Sequence, residues 1–303
     1  AFEESLSLFK DKISDCIKSK KSISITTHID CDGLTSGSII AKALIREGAK
    51  YTLRTSKEFS KNVVESFKTD SRDFHIITDL GGGFGKDLNQ TLGDNWIILD
   101  HHQISEEEKD NQNIINAWKY EIDGGTEISA GGMAYFAATA LNEKNSDLSE
   151  IAIVSALGDR QDQGDKKSFT GKNFEIANTA KELGLVDIDL DLLLVGRETR
   201  PLAEALAFTS QPFIEGLTWN KETCLSVLNS AGIQLKEEGR WRVPAELNED
   251  EKKAVIESIT KFSSDKNTSE IMSELIGYTY TFPKEDKRSF LRDGREYSTM
   301  LNS

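Results

Sequence analysis

The sequence predicts an α/β protein: a mostly parallel sheet flanked by helices, then a mainly helical region and the opening of a further small domain. Three observations predict it. Between residues 22 and 100, short apolar runs alternate with segments whose apolar residues recur every three or four positions. Acidic clusters stand at the ends of those runs, where open α/β sheets bind their ligands. The 303 residues also exceed the usual span of one domain.

The elements follow in order. Phe2, Leu6, Phe9, Ile13 and Ile17 place an amphipathic helix over residues 2–19. A strand over 22–27 leads into His28-Ile29-Asp30-Cys31-Asp32-Gly33, where Gly33 permits a turn, and Leu34 to Arg46 reads as a helix. A strand is expected at Tyr51 to Thr55 and a helix at 59–68, carrying Phe59, Val63, Val64 and Phe67. Strands at 73–79 and 95–100 follow, the first ending at Asp79 and the second at Asp100-His101-His102. The stretch Ser129 to Leu141 is a helix entered through small residues; its amino end suits an anion, or its glycines suit close helix–sheet packing. Another apolar run, Ile151 to Gly158, is read as one more strand-like run closed by Asp159. Beyond it a mainly helical region spans 171–277 and includes the alternating Asp187, Asp189 and Asp191, expected to form a solvated edge. Tyr278 to Phe282 reads as a strand that starts something new.

Composition restricts the function. With 37% hydrophobic and 29% charged residues, and a mean hydropathy of −0.44, the chain is expected to be soluble. No run approaches the ~20 apolar residues of a membrane span. Cys16, Cys31 and Cys224 are scattered without a CxxC pair, which points to a reducing cytoplasm. The polar start, Ala1-Phe2-Glu3-Glu4-Ser5, argues against a signal peptide, and an opening without Met leads us to expect a trimmed chain. A net charge of −14 disfavours extensive non-specific DNA binding and favours a small phosphorylated substrate or a localised contact.

The acidic clusters carry the chemistry. Three of the four histidines fall in them, and imidazole mixed with carboxylate oxygen suits Mn or a similar divalent ion. His28, Asp30 and Asp32 alternate, so an extended segment would present all three on one side. Asp79, alone at its strand end, is expected to bridge two ions, with His101 and Asp159 completing the second. Asp100 is expected to stand behind and orient a histidine, while His102 donates to a phosphate or leaving oxygen. Arg160 is expected to clamp a phosphate or to pair with a nearby carboxylate. His75, mid-strand and without acidic company, is read as structural. Trp118, Trp219 and Trp241 are candidates for base stacking, though ordinary packing is the expected role for each.

Residues 28–33 (HIDCDG), 78–83 (TDLGGG), 99–103 (LDHHQ) and 156–162 (ALGDRQD) resemble, in order and spacing, the four motifs of the DHH phosphoesterase superfamily. That superfamily includes RecJ exonucleases, oligoribonucleases and family II pyrophosphatases. The resemblance covers residues 22–165. It implies that His28, Asp30 and Asp79 hold one Mn ion, and that Asp32, Asp79, His101 and Asp159 hold the other, with Mg as the alternative metal. It further implies a DHH catalytic domain over 1–170, a connecting region over 171–277 and the beginning of a DHHA1-like substrate-binding domain over 278–303. The usual GGGH-type motif of that last domain has no counterpart here, since the only triple glycine, Gly81 to Gly83, is followed by Phe84. A truncated tail is therefore expected.

Residues 197–202, 211–217 and 291–302 resemble the linker region of archaeal RecJ-like proteins, a group that includes the GINS-associated nuclease of the replisome. The expected activity is thus a metal-dependent exonuclease on single-stranded DNA or RNA, possessing a replication partner. A small-substrate phosphoesterase, acting on short oligoribonucleotides, phosphoadenosine phosphate or cyclic dinucleotides, is the alternative enzyme. A replisome scaffold that binds GINS is the non-enzymatic alternative. The presence of all six expected ligands, His28, Asp30, Asp32, Asp79, His101 and Asp159, weighs against a purely structural role.

Overall fold

The computed structural model of the chain describes residues 2–263 and 268–303. It divides into two compact units, the first made of residues 2–163, 169–185 and 301–303, the second of the described residues in 164–168 and 186–300.

The first unit begins with α1 (Phe2–Lys18), whose buried side chains Phe2, Leu6, Phe9, Ile13 and Cys16 repeat at helical spacing. Then come β1 (Ser22–His28), α2 (Cys31–Arg46), β2 (Lys50–Ser56), α3 (Lys61–Ser66), β3 (Phe74–Thr78), α4 (Gly85–Leu92), β4 (Trp96–Asp100) and β5 (Ile114–Asn116). Three further helices, α5 (Ala130–Leu141), α6 (Ser149–Gly158) and α7 (Gly171–Glu182), complete it. The five strands form one sheet in the order β2-β1-β3-β4-β5, and every neighbouring pair is parallel. β3 and β4 are buried at every position, which explains why they read as unbroken apolar runs rather than as alternating ones. One face packs Ile77 and Ile98 against Val64, Phe67 and Leu88 from α3, its following turn and α4. His75 lies in that interior, 1% exposed, with its ring 4.6 Å from that of Phe67; burial pushes its pKa down and keeps it neutral.

Two expectations need correction. The run ending at Asp159 is a helix, not a strand: α6 packs on α2 and α5, so its apolar residues are buried nearly all round, and such a helix loses the period that distinguishes it from a buried strand. The segment after His28 is not extended either. Asp30 caps α2 by accepting from the Gly33 N–H at 3.0 Å, which places Asp32 in the first helical turn. β5 and α4 were not foreseen, because three residues and a Gly-rich entry give too little periodicity to detect.

The second unit contains β6 (Asp187–Leu192), α8 (Leu202–Phe208), α9 (Lys221–Ser230), a small hairpin of β7 (Lys236–Glu237) and β8 (Arg240–Trp241), α10 (Glu249–Phe262), α11 (Thr268–Leu275), β9 (Ile276–Thr281) and α12 (Gly294–Leu301). Its core gathers Leu206, Leu217, Leu228, Val255, Ile259 and Leu275. β9 pairs antiparallel with β6, Asp187 opposite Thr281 and Leu192 opposite Ile276. Asp187 and Asp189 are exposed as expected, but Asp191 is buried between the Arg197 guanidinium at 2.7 Å and the Lys252 ammonium at 2.9 Å. Two cations enclosing one carboxylate replace its water and hold its pKa down against the effect of burial. All three cysteines are free and buried. Among the described residues no helix is long and apolar enough to cross a membrane.

Candidate metal centre

Strand register assembles the centre. Thr27 of β1 pairs with Thr78 of β3, and Thr78 pairs with Leu99 of β4. One residue further along each strand stand His28, Asp79 and Asp100, so parallel pairing alone brings them side by side at the carboxyl edge. The strand order reverses direction between β1 and β3, the point at which open α/β sheets leave a crevice.

His28 Nδ1 lies 2.7 Å from Asp30 Oδ2 and 3.8 Å from Asp79 Oδ2. The turn between them is tight: a Cβ on Gly33 would fall 2.5 Å from the His28 carbonyl oxygen, so only glycine fits. Asp79 is 2% exposed and adopts a left-handed backbone (φ +63°), which turns its carboxyl out of the strand direction. Its Oδ1 is buried without a hydrogen-bond partner. His101 Nε2 stands 3.4 Å and His102 Nδ1 3.7 Å from it.

Asp32 is held from the opposite side. Its Oδ2 accepts from the Ala130 N–H at 2.9 Å, its Oδ1 from the Gly131 N–H at 3.1 Å and from the Ser155 hydroxyl, and His101 Nε2 lies 3.1 Å from Oδ2. The anion awaited at the amino end of α5 is therefore a side chain of this chain. Asp159 caps the end of α6, and its Oδ2 lies 3.8 Å from His101 Nδ1.

The histidine loop is pinned from behind. Asp100 Oδ1 accepts from the His101 N–H at 2.8 Å, the His102 N–H at 3.2 Å and His102 Nδ1 at 2.8 Å. Trp118 Nε1 donates to the His101 carbonyl at 2.9 Å, and Asn116 Nδ2 donates to the His102 carbonyl at 2.9 Å. Trp118 thus has a fastening role, while Trp219 and Trp241 are 72% and 45% exposed in the second unit. Sequence reasoning missed Ser155, Asn116 and Trp118 as supports because their partners are main-chain atoms and a buried carboxylate, which leave no spacing signal. Arg160 is exposed on a left-handed turn, and among the described residues no carboxylate pairs with it.

The electrostatics are those of a crowded anionic cluster. Burial and then the charge of Asp32 hold the Asp79 pKa well above the usual carboxylate range. Burial and the Asp32 charge push Asp159, 36% exposed, up to about 6. Burial also works to raise the Asp32 pKa, but hydrogen bonds from His101, Ser155 and Ala130 outweigh it and hold the carboxyl below its ordinary value. Burial opposes protonation of His101, yet the Asp32 and Asp79 carboxylates facing its Nε2 raise its pKa well above the ordinary value. His102 is raised first by its hydrogen bond to Asp100.

Among the described residues, three groups of ligand atoms each lie within 4.8 Å of one another: His28, Asp30 and Asp79; Asp32, His101 and Asp159; and Asp79, His101 and His102. An orphaned buried carboxylate oxygen among imidazole and carboxylate donors fits a divalent cation of the Mn or Mg kind.

Comparison with known proteins agrees with this architecture. Residues 22–158 match the DHH family, N-terminal domain, and residues 194–276 match the DHH-CID domain. An uncharacterized protein of Methanocaldococcus jannaschii is 32% identical over 220 residues, 68% of this chain and 49% of that protein. The chain thus spans about half the length of the curated relative it matches. CDC45 from Entamoeba histolytica superposes with a TM-score of 0.62 at 17% identity, over 97% of this chain and 61% of that one, and shares the fold. RecJ from Thermus thermophilus in complex with Mn2+ gives a TM-score of 0.47 at 14% identity, over 90% of this chain and 36% of that one. The chain thus carries a DHH family N-terminal domain, whose strands and helices present the acidic centre, followed by a DHH-CID domain.

Proposed function

We propose that residues 1–170 are the catalytic domain of a two-metal phosphoesterase, and that the chain acts as a RecJ-like exonuclease on single-stranded DNA or RNA. The observation that carries this reading is Asp79, whose buried Oδ1 has no hydrogen-bond partner while its carboxyl stands between the His28–Asp30 pair and His101. Such an oxygen is costly unless a cation meets it. His28, Asp30 and Asp79 would hold one ion, and Asp32, Asp79, His101 and Asp159 the other, with Mn the first choice and Mg the second. Ions so held would lower the pKa of a bound water and offset the negative charge that develops on the phosphoryl oxygens.

The chain's own residues do the rest. His101 Nδ1 is 2.6 Å from the Gly124 carbonyl and donates to it, which reserves Nε2 for the ion side. His102 is 62% exposed with Nδ1 tied to Asp100, so we assign it to the substrate rather than to a metal. With Nδ1 donating to Asp100, whose carboxylate raises its pKa, Nε2 is the nitrogen that would offer a proton to a phosphate or leaving oxygen. Arg160, exposed beside Asp159, offers a guanidinium to a neighbouring phosphate. Residues 171–277 and 278–303 are proposed as the connecting region and the start of a substrate-binding domain. The segments 197–202, 211–217 and 291–302, which resemble the linker region of archaeal RecJ-like proteins, support that branch and, with it, a GINS-type replication partner.

A second reading, a phosphoesterase for short oligonucleotides, is favoured by the net charge of −14. Digestion of end-labelled DNA and RNA, from dinucleotides to long single strands, with added Mn separates the two. Stepwise mononucleotide release from long strands supports the exonuclease. Cleavage confined to the shortest substrates moves the protein to the small-substrate class, and no cleavage at any length sinks both.

A further inference from the structure

Gln161 lies inside the fourth motif without an assigned role, and it is fully buried, 0% exposed. Its Nε2 reaches three acceptors: Asp159 Oδ2 at 2.7 Å, the Gly124 carbonyl at 2.8 Å and the Ile128 carbonyl at 3.2 Å. Its Oε1 accepts from Asn173 Nδ2 at 2.6 Å. A carboxylate and two carbonyls cannot donate, so only the NH2 end of the amide fits among them. Asn173 fixes the other end, and Asn173 is itself tied down by its backbone N–H, which donates to the Glu127 carbonyl at 2.7 Å. A flipped amide would set oxygen against three acceptors, so the side chain has one usable orientation.

The Gly124 carbonyl has two lone pairs, and the chain uses both. One takes the Gln161 Nε2–H, the other the His101 Nδ1–H at 2.6 Å. Through that carbonyl and Gln161, His101 is linked to Asp159, a side chain from a different element that belongs to the same ligand group with Asp32. We infer that Gln161 is a positioning residue that sets the Asp159 carboxylate and the His101 ring in fixed relation, for the ion they share with Asp32. The inference rests on the two-metal reading above and deepens it. It assigns Gln161 to one ion, since none of its contacts touches His28 or Asp30.

The test is Mn binding by the metal-stripped chain, followed by isothermal titration and by the electron paramagnetic resonance of free Mn. Wild type is compared with Gln161→Met, which keeps the length and removes every hydrogen bond, and with Asn173→Ser, which touches no ligand but frees the amide. Asp159→Asn and Asp30→Asn mark which ion is which. Two ions are expected in wild type. In Gln161→Met the ion weakened in Asp159→Asn should lose about 10–100-fold in affinity, the usual effect of removing a partner that orients a ligand. The ion weakened in Asp30→Asn should change by less than about threefold. Asn173→Ser should weaken the same ion in the same direction, which keeps the test decisive where Gln161→Met fails to fold.

Equal loss of both ions, or two ions bound by both variants as in wild type, overturns the inference alone. A wild type that binds no divalent ion overturns the two-metal reading and the inference with it.

Discussion

The Asp32 carboxylate sits on the amino end of the helix that begins at Ala130, its Oδ2 2.9 Å from that residue's backbone N–H across 98 positions of sequence. A helix amino end favours an anion by about 0.3–1 kcal/mol at the surface, and by up to ~2 kcal/mol in partly buried geometry. Asp79 has no such donors. Two aspartates of one cluster are thereby driven in opposite directions, Asp32 below and Asp79 above the ordinary carboxylate value. The cluster keeps a permanent anion at Asp32 and an under-partnered carboxyl at Asp79.

Gly131 makes that arrangement possible, since a Cβ there would run into the Ser155 hydroxyl that donates to Asp32. Gly131→Ala should lower stability by about 1–3 kcal/mol, the range for forcing atoms into a packed interior. Mn affinity should fall with it. Gly83→Ala is the control, because nothing lies within 4 Å of a Cβ at that position. Chemical denaturation of the two variants checks the contrast; equal stability would contradict the packing argument.

Asp79→Asn should cut hydrolysis by about 1000-fold or more, the several kcal/mol that two coordinated ions supply. The metal-free protein should be as stable as wild type or more so, because the amide removes a carboxyl that burial and Asp32 disfavour. A melting curve beside an activity assay reads both. Wild-type rates in the variant would remove Asp79 from the bridging role.

The pH dependence has a definite sign. Asp159 in the folded protein titrates near 6, above its unfolded value, so its proton favours the metal-free fold. That contribution is full below the unfolded carboxylate pKa and is lost as pH rises through about 6. Metal binding runs the other way, because a ligand must shed its proton: Mn affinity should fall as pH drops, first as His101 with its raised pKa gains a proton and again below about 6, where Asp159 does. Titrations of Mn between pH 5 and 8 test this, and Asp159→Asn should flatten that limb.

In the second unit, Asp191→Ala should cost about 3–5 kcal/mol, since it leaves the Arg197 and Lys252 charges without their shared carboxylate. Asp189→Ala, two residues away and exposed, should stay within about 0.5 kcal/mol of wild type. Urea unfolding of both distinguishes a buried ion cluster from the solvated edge that alternation suggests.

Much of the centre was legible because a parallel sheet converts sequence into position. Runs ending at His28, Asp79 and Asp100 must deliver those residues to one edge once the strands pair in parallel, whatever the loops do. The fourth cluster does meet the others, but not from a strand: Asp159 ends a helix, and the local pattern of a fully buried helix cannot be told from that of a strand. Asp191 misled in the other direction, since period-two alternation shows which residues share a face and not what covers that face.

By itself the sequence determined the α/β class, the motif residues and the donor chemistry, because strand periodicity and ligand type are local properties. Only the tertiary structure decided which carboxylate is held as an anion, which imidazole nitrogen is reserved, and that Gln161 ties His101 to Asp159. Those depend on main-chain N–H and C=O groups brought together from distant segments, and every residue type carries the same ones.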